Sequence, residues 1–396
     1  MRKKAAPVAS ATISARPAQQ PEENSCRWLR HGQEAFAAML AAIAAAQHAV
    51  RLEMFIFTPG KVGDAFRDAL VAACGRGVRV RVMCDSVGSI GLSANYWNGL
   101  KEAGGEFRFF NPLHLHRFIY RDHRKILVVD EEVAFIGGIN IGDEYNGDGV
   151  QSGWRDLGLS IRGPLARVLA DTFNDLFARA DFRHRRFQRI RHTRADAVVS
   201  GAGWKLLLTG PGRGHRALKQ SLVNDFEQAQ SIDIMSAYFL PSLRILHALK
   251  RAARRGAKVR LILAGKSDVW LMRVATRGLY TPLLRAGVEI YEYEPQVLHA
   301  KMVVTDDVVY AGSANLDARS LGINYEVVTR LPVPTLAAEA REIFSNDLKN
   351  CRRIELRSHR KAHTRWRAWL ERWAYFAFAR IDPYLARQQR RHLLKS

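Results

Sequence analysis

Two copies of one short pattern hold the residues of this sequence that are best suited to chemistry. Both copies read His-x-Lys-x-x-x-x-Asp, and their defining residues are His123, Lys125, Asp130, His299, Lys301 and Asp306. An apolar run follows each copy and leads to Gly-[Gly/Ser]-x-Asn, which supplies Asn140 in the first copy and Ser313 and Asn315 in the second. The asparagine lies 17 residues after the first histidine and 16 residues after the second. A single pattern could arise by chance, but two copies with nearly matching spacing indicate a duplicated functional unit.

The residue types in this pattern suit displacement at phosphorus. Residues i and i+2 of a strand point to the same face, so the His and Lys of each copy project together. An imidazole is a nucleophile and a proton donor near neutral pH, and a lysine ammonium can hold a phosphate oxygen. We expect Asn140, Asn315 and Ser313 to add hydrogen-bond donors to the same oxygens. If the copies meet at a pseudo-twofold interface, one histidine can attack a phosphodiester while the other protonates the leaving alkoxide.

This chemistry needs no cofactor, and the sequence predicts none. The motif histidines have no partner ligands at a spacing that suits a metal ion, so we expect no metal site. The four cysteines, Cys26, Cys74, Cys84 and Cys351, show neither CxxC pairing nor metal-like spacing, which favours reduced thiols in a cytosolic protein.

Helices and strands alternate around each copy of the pattern. In the first half, Ala35–His48 and Val62–Arg76 have helical periodicity, whereas Val50–Phe57 and Val78–Asp85 are typical of strands. The second half repeats this order with helices predicted at 217–230 and 242–255 and strands at 231–237 and 257–264. The pattern predicts an α/β fold of two pseudo-symmetric domains, each a mixed β-sheet flanked by helices, which share one active site.

Changes in composition predict five segments. They are a disordered tail at 1–24, a first domain at 25–178, a basic linker at 179–200, a second domain at 201–350, and a basic, Trp-rich helical region at 351–396. No run of about eighteen uncharged apolar residues is present, so the sequence predicts no transmembrane helix, and the N-terminus lacks the apolar core of a secretory signal.

The charge of the chain points to a polyanionic partner. The sequence has 61 Lys and Arg residues against 38 Asp and Glu residues, which gives a net charge of +23. Both nucleic acid and anionic lipid would be attracted to such a surface. Near the C-terminus, Trp366, Trp369, Trp373 and Phe376 recur on one helical face. This face either docks on the core or lies at a membrane interface, and the aromatic composition together with the lack of a recognisable nucleic-acid module favours lipid.

The duplicated motif resembles the phospholipase D superfamily, and the sequences around it resemble bacterial cardiolipin synthases more closely. The segments that carry the resemblance are Gly137 to Tyr145, Gly312 to Ser320, and Asn324-Tyr325-Glu326. The resemblance covers roughly residues 27–350. Because the chain lacks the paired N-terminal membrane helices of the longest members, we expect a peripheral enzyme on the cytoplasmic side of the inner membrane.

The resemblance implies an activity and further site residues. The implied reaction transfers a phosphatidyl group through a phosphohistidine, from phosphatidylglycerol to a second phosphatidylglycerol, and releases glycerol. Asp156 and Glu326 are implied to orient His123 and His299 respectively by accepting a hydrogen bond from Nδ1. We favour His123 as the nucleophile and His299 as the general acid.

The motif aspartates allow two interpretations. The family convention counts Asp130 and Asp306 as catalytic, but each lies an odd number of residues from its histidine and opens an acidic turn. By strand parity they face away from the site, so we expect a structural role.

Two other functions fit parts of the sequence. A phosphodiesterase or nuclease could use the same site with water as the acceptor, and the positive charge would favour it. A lipid-binding or nucleic-acid-binding protein with an inactive site is the second alternative, which the intact motifs in both halves oppose. The acceptor alcohol stays open between phosphatidylglycerol, phosphatidylethanolamine and a free polyol, and the oligomeric state is not predicted.

Overall fold

The computed structural model describes residues 24–112, 120–180, 198–201, 203–210, 215–362 and 365–376. Nearly all of the predicted tail and most of the predicted basic linker therefore lie outside the described residues. Within the described ranges, no helix combines the length and the apolar character needed to cross a membrane.

The first half is a seven-stranded mixed sheet with helices packed against it. Its strands are β1 (Ser25–Leu29), β2 (Ala49–Met54), β3 (Arg79–Asp85), β4 (Glu106–Phe110), β5 (Ile126–Val129), β6 (Val133–Gly137) and β7 (Gly158–Arg162). Its helices are α1 (Gly32–Ala45), α2 (Lys61–Gly75), α3 (Asn98–Glu102) and α4 (Pro164–Phe177). The strand order is β1-β7-β6-β5-β2-β3-β4, in which β2, β3 and β4 are parallel and the remaining pairs are antiparallel.

The second half repeats this arrangement and extends it to nine strands. Its strands are β8 (Val198–Gly201), β9 (Trp204–Thr209), β10 (Ser231–Ser236), β11 (Lys258–Lys266), β12 (Glu289–Val297), β13 (Lys301–Thr305), β14 (Val308–Gly312), β15 (Glu326–Pro332) and β16 (Cys351–Ile354). Its helices are α5 (His215–Gln228), α6 (Leu243–Arg254), α7 (Trp270–Arg277), α8 (Tyr280–Leu284), α9 (Pro334–Leu348), α10 (Leu356–Ala362) and α11 (Arg365–Phe376). The strand order is β16-β12-β11-β10-β13-β14-β15-β9-β8.

The central strand order is the same in both sheets. The run β4-β3-β2-β5-β6-β7 corresponds to β12-β11-β10-β13-β14-β15, with parallel strands on one side and antiparallel strands on the other. The predicted α/β class and internal repeat are confirmed. The second sheet is longer than the predicted domain, because β8 and β16 lie at least partly outside 201–350 but pair with β9 and β12.

A shared apolar core joins the two sheets. Val128 and Leu159 of the first half belong to the same buried cluster as Val304, Val309 and Phe344 of the second half. Strands β5 and β13 are buried along their whole length, which is why their sequences are near-continuous apolar runs rather than alternating ones. The core fixes the relative position of the two motifs, since His123 lies three residues before β5 and His299 two residues before β13.

Candidate active site

Two short backbone bridges bring the motifs together. Asp122 pairs with Tyr325 and Leu298 pairs with Arg155, so each histidine is next to a bridge to the other half of the chain. The amide of His123 donates a hydrogen bond to the carbonyl oxygen of Tyr325 at 3.0 Å, and the amide of His299 donates to that of Arg155 at 2.8 Å. The two bridges are related by the pseudo-symmetry of the halves, which gives the interface that the duplicated pattern predicts.

Each histidine is oriented by an acid from the opposite half. His123 Nδ1 lies 2.9 Å from Glu326 Oε2, and His299 Nδ1 lies 2.6 Å from Asp156 Oδ2. The expected pairing of Asp156 with His123 and of Glu326 with His299 is therefore wrong. The backbone bridges explain the exchange, because each acid directly follows a residue that bridges to the other half, Arg155 or Tyr325. A carboxylate that accepts a bond from Nδ1–H leaves Nε2 as the unprotonated, reactive nitrogen.

Both motif lysines lie beside their histidines, as strand spacing predicts. Lys125 Nζ donates to the carbonyl oxygen of His123 at 2.7 Å. Lys301 Nζ likewise contacts the carbonyl oxygen of His299, and it lies 3.0 Å from Nδ1 of the same residue. All four side chains are at least nine-tenths buried, with His123 exposed by 10% and His299 by 5%. Two lysine side chains therefore flank the two imidazoles in a nearly closed site.

The surroundings keep both imidazoles neutral. Burial lowers the pKa of His123 well below its usual value, and the positive charges of Lys125 and Lys301 add to this effect. Burial and Lys301 also lower the pKa of His299, but there the charge of Asp156 and its hydrogen bond oppose the change. The two imidazoles therefore differ in their charge environment: two lysines oppose protonation of His123, whereas Asp156 favours protonation of His299.

Two other groups of the site titrate near neutrality. Burial raises the pKa of Glu326 to about 7, against the opposing effects of Lys125 and of the Ser313 hydroxyl. Burial lowers the pKa of Lys125 to about 7, against the attraction of Glu326. A bound phosphodiester would add negative charge next to Lys125, which favours its protonated form.

The two acids differ in length, and their neighbours differ to match. The hydroxyl of Ser313 donates to Glu326 Oε2 at 2.6 Å. The equivalent position in the first half is Gly138, where a Cβ atom would lie 2.2 Å from Asp156 Oδ1. Ser313 therefore acts here as a support for Glu326, and its predicted contact with substrate phosphate stays a prediction.

The two motif asparagines lie in different surroundings. Asn140 is fully buried; its Oδ1 accepts from the amide of Ile56 at 3.0 Å and its Nδ2 donates to the hydroxyl of Tyr145 at 2.7 Å. Asn315 is 2% exposed, and within the described part of the chain its Oδ1 has no hydrogen-bond partner. Among the described residues, Asn315 therefore has an unpaired buried acceptor, whereas both polar side-chain atoms of Asn140 are paired and hold the segment that follows β2.

The motif aspartates hold backbone at the far ends of their strands. Asp130 accepts hydrogen bonds from the amides of Gln47, His48 and Ala49, each at 2.8 Å. Asp306 accepts from the amides of Gln230 and Ser231 in the equivalent place. These bonds lower the pKa of Asp130, although burial opposes them. Both aspartates have positive φ, 54° and 45°, and each fixes the start of the neighbouring strand, β2 or β10.

Three aromatic residues of the site had no predicted role. The ring of Phe55 lies 4.7 Å from that of His123 and 4.9 Å from Lys125 Nζ. Tyr145 and Trp154 lie 5.4 Å and 5.6 Å from the ring of His299. Trp154 lies two residues before Asp156, and Tyr145 is the last residue of the segment from Gly137 to Tyr145. Closeness in sequence to the motif residues was therefore the one signal that could have indicated a role for them.

Comparison with known proteins places the chain in a family. The family model described as "Cardiolipin synthase, PLD-like domain" matches residues 39–176 and 222–348. Cardiolipin synthase 1 of Bacillus cereus is 32% identical over 353 residues, which cover 86% of this chain and 69% of that protein. Cardiolipin synthase B of Shigella flexneri is 35% identical over 314 residues, which cover 77% of this chain and 76% of that protein.

Solved structures agree on the fold. The crystal structure of phosphatidylserine synthase from Haemophilus influenzae superposes with a TM-score of 0.70, covering 91% of this chain and 94% of that one at 15% identity. The match spans both halves and so supports the two-domain architecture. The chain belongs to the cardiolipin synthase family and is a phosphatidyltransferase of the phospholipase D superfamily.

Proposed function

We propose that this protein makes cardiolipin by transferring a phosphatidyl group from one phosphatidylglycerol to another through a phosphohistidine on His123. The observation that carries the proposal is the pair of buried imidazoles, each oriented at Nδ1 by an acid from the other half. Two imidazoles that are oriented in this way can act as a nucleophile and a proton donor on the phosphorus atom of one bound phosphodiester. The family of the chain adds the lipid substrate.

In the first step His123 Nε2 attacks the phosphorus of the donor lipid. A P–N bond forms and the P–O bond to the glycerol headgroup breaks, while His299 gives a proton to the departing glycerol oxygen. Lys125 and Lys301 balance the charge on the non-bridging oxygens, and the Oδ1 of Asn315, which is unpaired within the described chain, accepts a hydrogen bond from a headgroup hydroxyl. An anionic phosphodiester held between the imidazoles raises their pKa values, which helps His299 to carry the proton it must donate.

In the second step the acceptor alcohol reverses these events. The hydroxyl group of a second phosphatidylglycerol gives its proton to the now neutral His299 and attacks phosphorus. The new P–O bond forms, the P–N bond breaks, and His123 is restored. Because water could enter in place of the acceptor, the exclusion of water separates synthesis from hydrolysis.

We infer that the enzyme works as a peripheral protein on the cytoplasmic side of the inner membrane. The net charge of +23 attracts anionic phospholipid, and Trp366, Trp369, Trp373 and Phe376 of α11 are at least half exposed. Helix α11 contributes the buried Ala374 to the second-half core, so it docks on the core with one face and leaves the aromatic face open.

Product analysis tests the reaction. The purified chain, incubated with phosphatidylglycerol dispersed in detergent, should yield cardiolipin and glycerol in equal amounts. Phosphatidic acid with glycerol would instead indicate hydrolysis, and no turnover with a folded protein would indicate a binding protein. Replacing part of the phosphatidylglycerol with phosphatidylethanolamine identifies the acceptor.

Quenching with sodium dodecyl sulfate at alkaline pH during turnover of a ³²P-labelled donor tests the intermediate. The label should be found on the peptide that contains His123, stable to base and labile to acid. Label on the His299 peptide would reverse the two roles, and no label on either peptide would contradict a covalent mechanism.

A further inference from the structure

Large apolar side chains are exposed at a few places in the described structure. Nine such residues are exposed, and four of them form the aromatic face of α11. The other five lie in loops or at the starts of helices in the two halves: Ile90, Val150, Leu243, Val269 and Trp270. We call these five residues the rim. Isolated exposed apolar residues need no explanation, but their recurrence in segments that contact the active site does.

The Ile90 loop lies beside His123. It follows β3, whose last residue, Asp85, accepts a hydrogen bond from the amide of Asp122 at 2.9 Å. Ser89, the neighbour of Ile90, donates through its hydroxyl to the carbonyl oxygen of Phe55 at 3.1 Å. The Phe55 ring lies 4.7 Å from the His123 ring, yet Ile90 itself is 73% exposed. An anchored loop close to the His123 ring therefore exposes a bare aliphatic side chain to solvent.

The second half places its apolar residues in the equivalent loop. Trp270 follows β11, the counterpart of β3, and is 62% exposed. Two residues earlier, Asp268 accepts from the hydroxyl of Tyr238 at 2.5 Å, and its charge opposes the lowering of the Lys301 pKa. Val269 lies between Asp268 and Trp270 and is 36% exposed. This loop also borders the catalytic groups.

The remaining two rim residues complete the boundary. Leu243 begins α6, three residues after Leu240, whose amide donates to the carbonyl oxygen of Leu316 beside Asn315. Val150 belongs to the loop before Trp154, and its carbonyl oxygen accepts from the side chain of Gln296 at 3.4 Å. Both are therefore tied to the segments that carry the active-site asparagine and His299.

We propose that the rim is inserted into an anionic phospholipid bilayer, so that the entrance of the site opens directly at the level of the lipid phosphates. The choice of lipid rests on the proposed function. Apolar residues around a cationic, nearly closed site match the order of layers at a membrane, where acyl chains lie next to charged headgroups. The exposed Arg244 and Lys266 flank Leu243 and the Val269 loop, where they can meet headgroup phosphates.

A bilayer explains the rim better than a second copy of the chain does. Two copies that carry a charge of +23 each repel one another, whereas an anionic surface attracts either one. Rim residues come from both halves and from loops far apart in sequence, which fits a flat surface that touches the whole entrance.

The test uses the full-length protein with Ile90→Asn and Trp270→Ser together, which leaves the net charge unchanged. The matched control is Trp369→Ser with Trp373→Ser, which removes two exposed aromatic side chains from α11 instead. Sedimentation with phosphatidylglycerol vesicles measures binding. Turnover is measured twice, on vesicles at saturating lipid and on a short-chain phosphatidylglycerol that is dispersed as monomers.

For the rim variant we expect roughly tenfold or greater loss of vesicle turnover per bound enzyme, with turnover of the monomeric lipid and the melting temperature unchanged. The α11 variant should bind vesicles more weakly but, once bound, should turn over normally. Equal vesicle turnover by the rim variant and the wild type would overturn the inference while leaving the proposed function intact. If the rim variant changes the sedimentation coefficient of the free protein instead, the rim contacts a second copy and the inference also fails.

The two proposals fail in different ways. Rim-dependent vesicle binding without any turnover would remove the proposed function and keep the membrane-facing rim. Turnover of the monomeric lipid without any effect of the rim substitutions on vesicles would do the reverse.

Discussion

The two halves of the active site have the same backbone arrangement but use different side chains to orient a histidine. In the first half, Gly138 leaves space for the short acid Asp156, whereas in the second half Ser313 fills that space and supports the longer Glu326. The residues that follow the two histidines also differ. Arg124 makes two hydrogen bonds to the buried Glu53, at 2.5 and 2.8 Å, and the equivalent Ala300 belongs to an apolar cluster.

This difference shows how a pseudo-symmetric site can hold two histidines with unequal roles. Each imidazole has a carboxylate at Nδ1, but the carboxylate of Glu326 has a pKa raised to about 7 by burial, and its partner His123 is kept neutral by burial and two lysines. At His299 the charge and hydrogen bond of Asp156 favour protonation. The pseudo-symmetry gives both halves the same groups, and the local differences give the two histidines different charge environments.

The largest expected effect separates the two histidines. His123→Asn should lower the rate of leaving-group release by about 10⁴-fold or more with any donor, because the nucleophile is gone. His299→Asn should lose about 10²- to 10⁴-fold with phosphatidylglycerol but much less with a nitrophenyl phosphodiester, whose leaving group needs no proton. Single-turnover release of nitrophenol measures both. If the two variants respond in the opposite way, the roles are reversed.

The next comparison exchanges the neighbours of the acids. Gly138→Ser should displace Asp156 from His299, because a Cβ atom there would lie 2.2 Å from Asp156 Oδ1. We expect a loss of about 10²-fold or more in kcat with a folded protein. The matched variant Ser313→Gly removes one hydrogen bond and should lose about tenfold or less. Equal losses in the two variants would show that the halves tolerate the exchange alike.

A pH profile tests the third difference. Glu326 must be ionised to accept the proton of His123 Nδ1, so kcat/KM should rise as the pH rises through its pKa of about 7. Lys125 must be protonated to hold phosphate, so kcat/KM should fall as the pH rises through its pKa of about 7. Because the two pKa values are close together, the plot of kcat/KM against pH should be a narrow bell-shaped curve.

Two variants should move the limbs of this bell separately. Ser313→Ala removes a hydrogen bond that lowers the pKa of Glu326, so the acidic limb should move to higher pH. Lys125→Arg should move the alkaline limb to higher pH, because a guanidinium stays protonated. An unchanged acidic limb in Ser313→Ala would show that Glu326 does not set it.

The smallest expected effect concerns the motif aspartates. Asp130→Asn should lower the free energy of unfolding by about 1–2 kcal/mol, because three backbone amides lose a charged acceptor. Asp306→Asn should cost less, since its bonds of 2.9–3.2 Å are longer. Denaturant titration measures both, and the residual activity of the folded variants should stay near that of wild type.

The pH dependence of stability provides the control for the aspartates. The pKa of Asp130 is lowered in the folded protein, so its contribution is present above the unfolded value and is lost as the pH falls through the folded one. Asp130→Asn should flatten this acid-side decline. A folded Asp130→Asn protein with as little activity as His123→Asn would contradict the structural role.

The sequence predicted the repeated elements well because periodicity and spacing are local signals. Alternating helices and strands around His123 and His299 are visible in windows of about 15 residues. The partner of each acid was not predictable in this way. The His123–Glu326 and His299–Asp156 contacts span 203 and 143 residues, and strand parity indicates a face of a sheet but not which half supplies its neighbour.

The same limit applies to the asparagines and the aromatic residues. Asn140 and Asn315 lie in equivalent motifs. They differ because Asn140 is hydrogen-bonded to the Tyr145 hydroxyl and the Ile56 amide. These contacts depend on packing between loops, which composition does not report. The rim is a further case, since Ile90 and Trp270 become neighbours of one entrance only after the two halves meet.

The exchange of acids between the halves has a consequence for the origin of the chain. A polypeptide with one half alone has a histidine but no acid to orient it, whereas two identical copies around a true twofold axis would complete both sites at once. Joining the copies in one chain replaces a concentration-dependent encounter with a tethered one. It also frees positions 138 and 313 to differ, which an assembly of identical copies forbids, and that freedom allows the two imidazoles to have different surroundings.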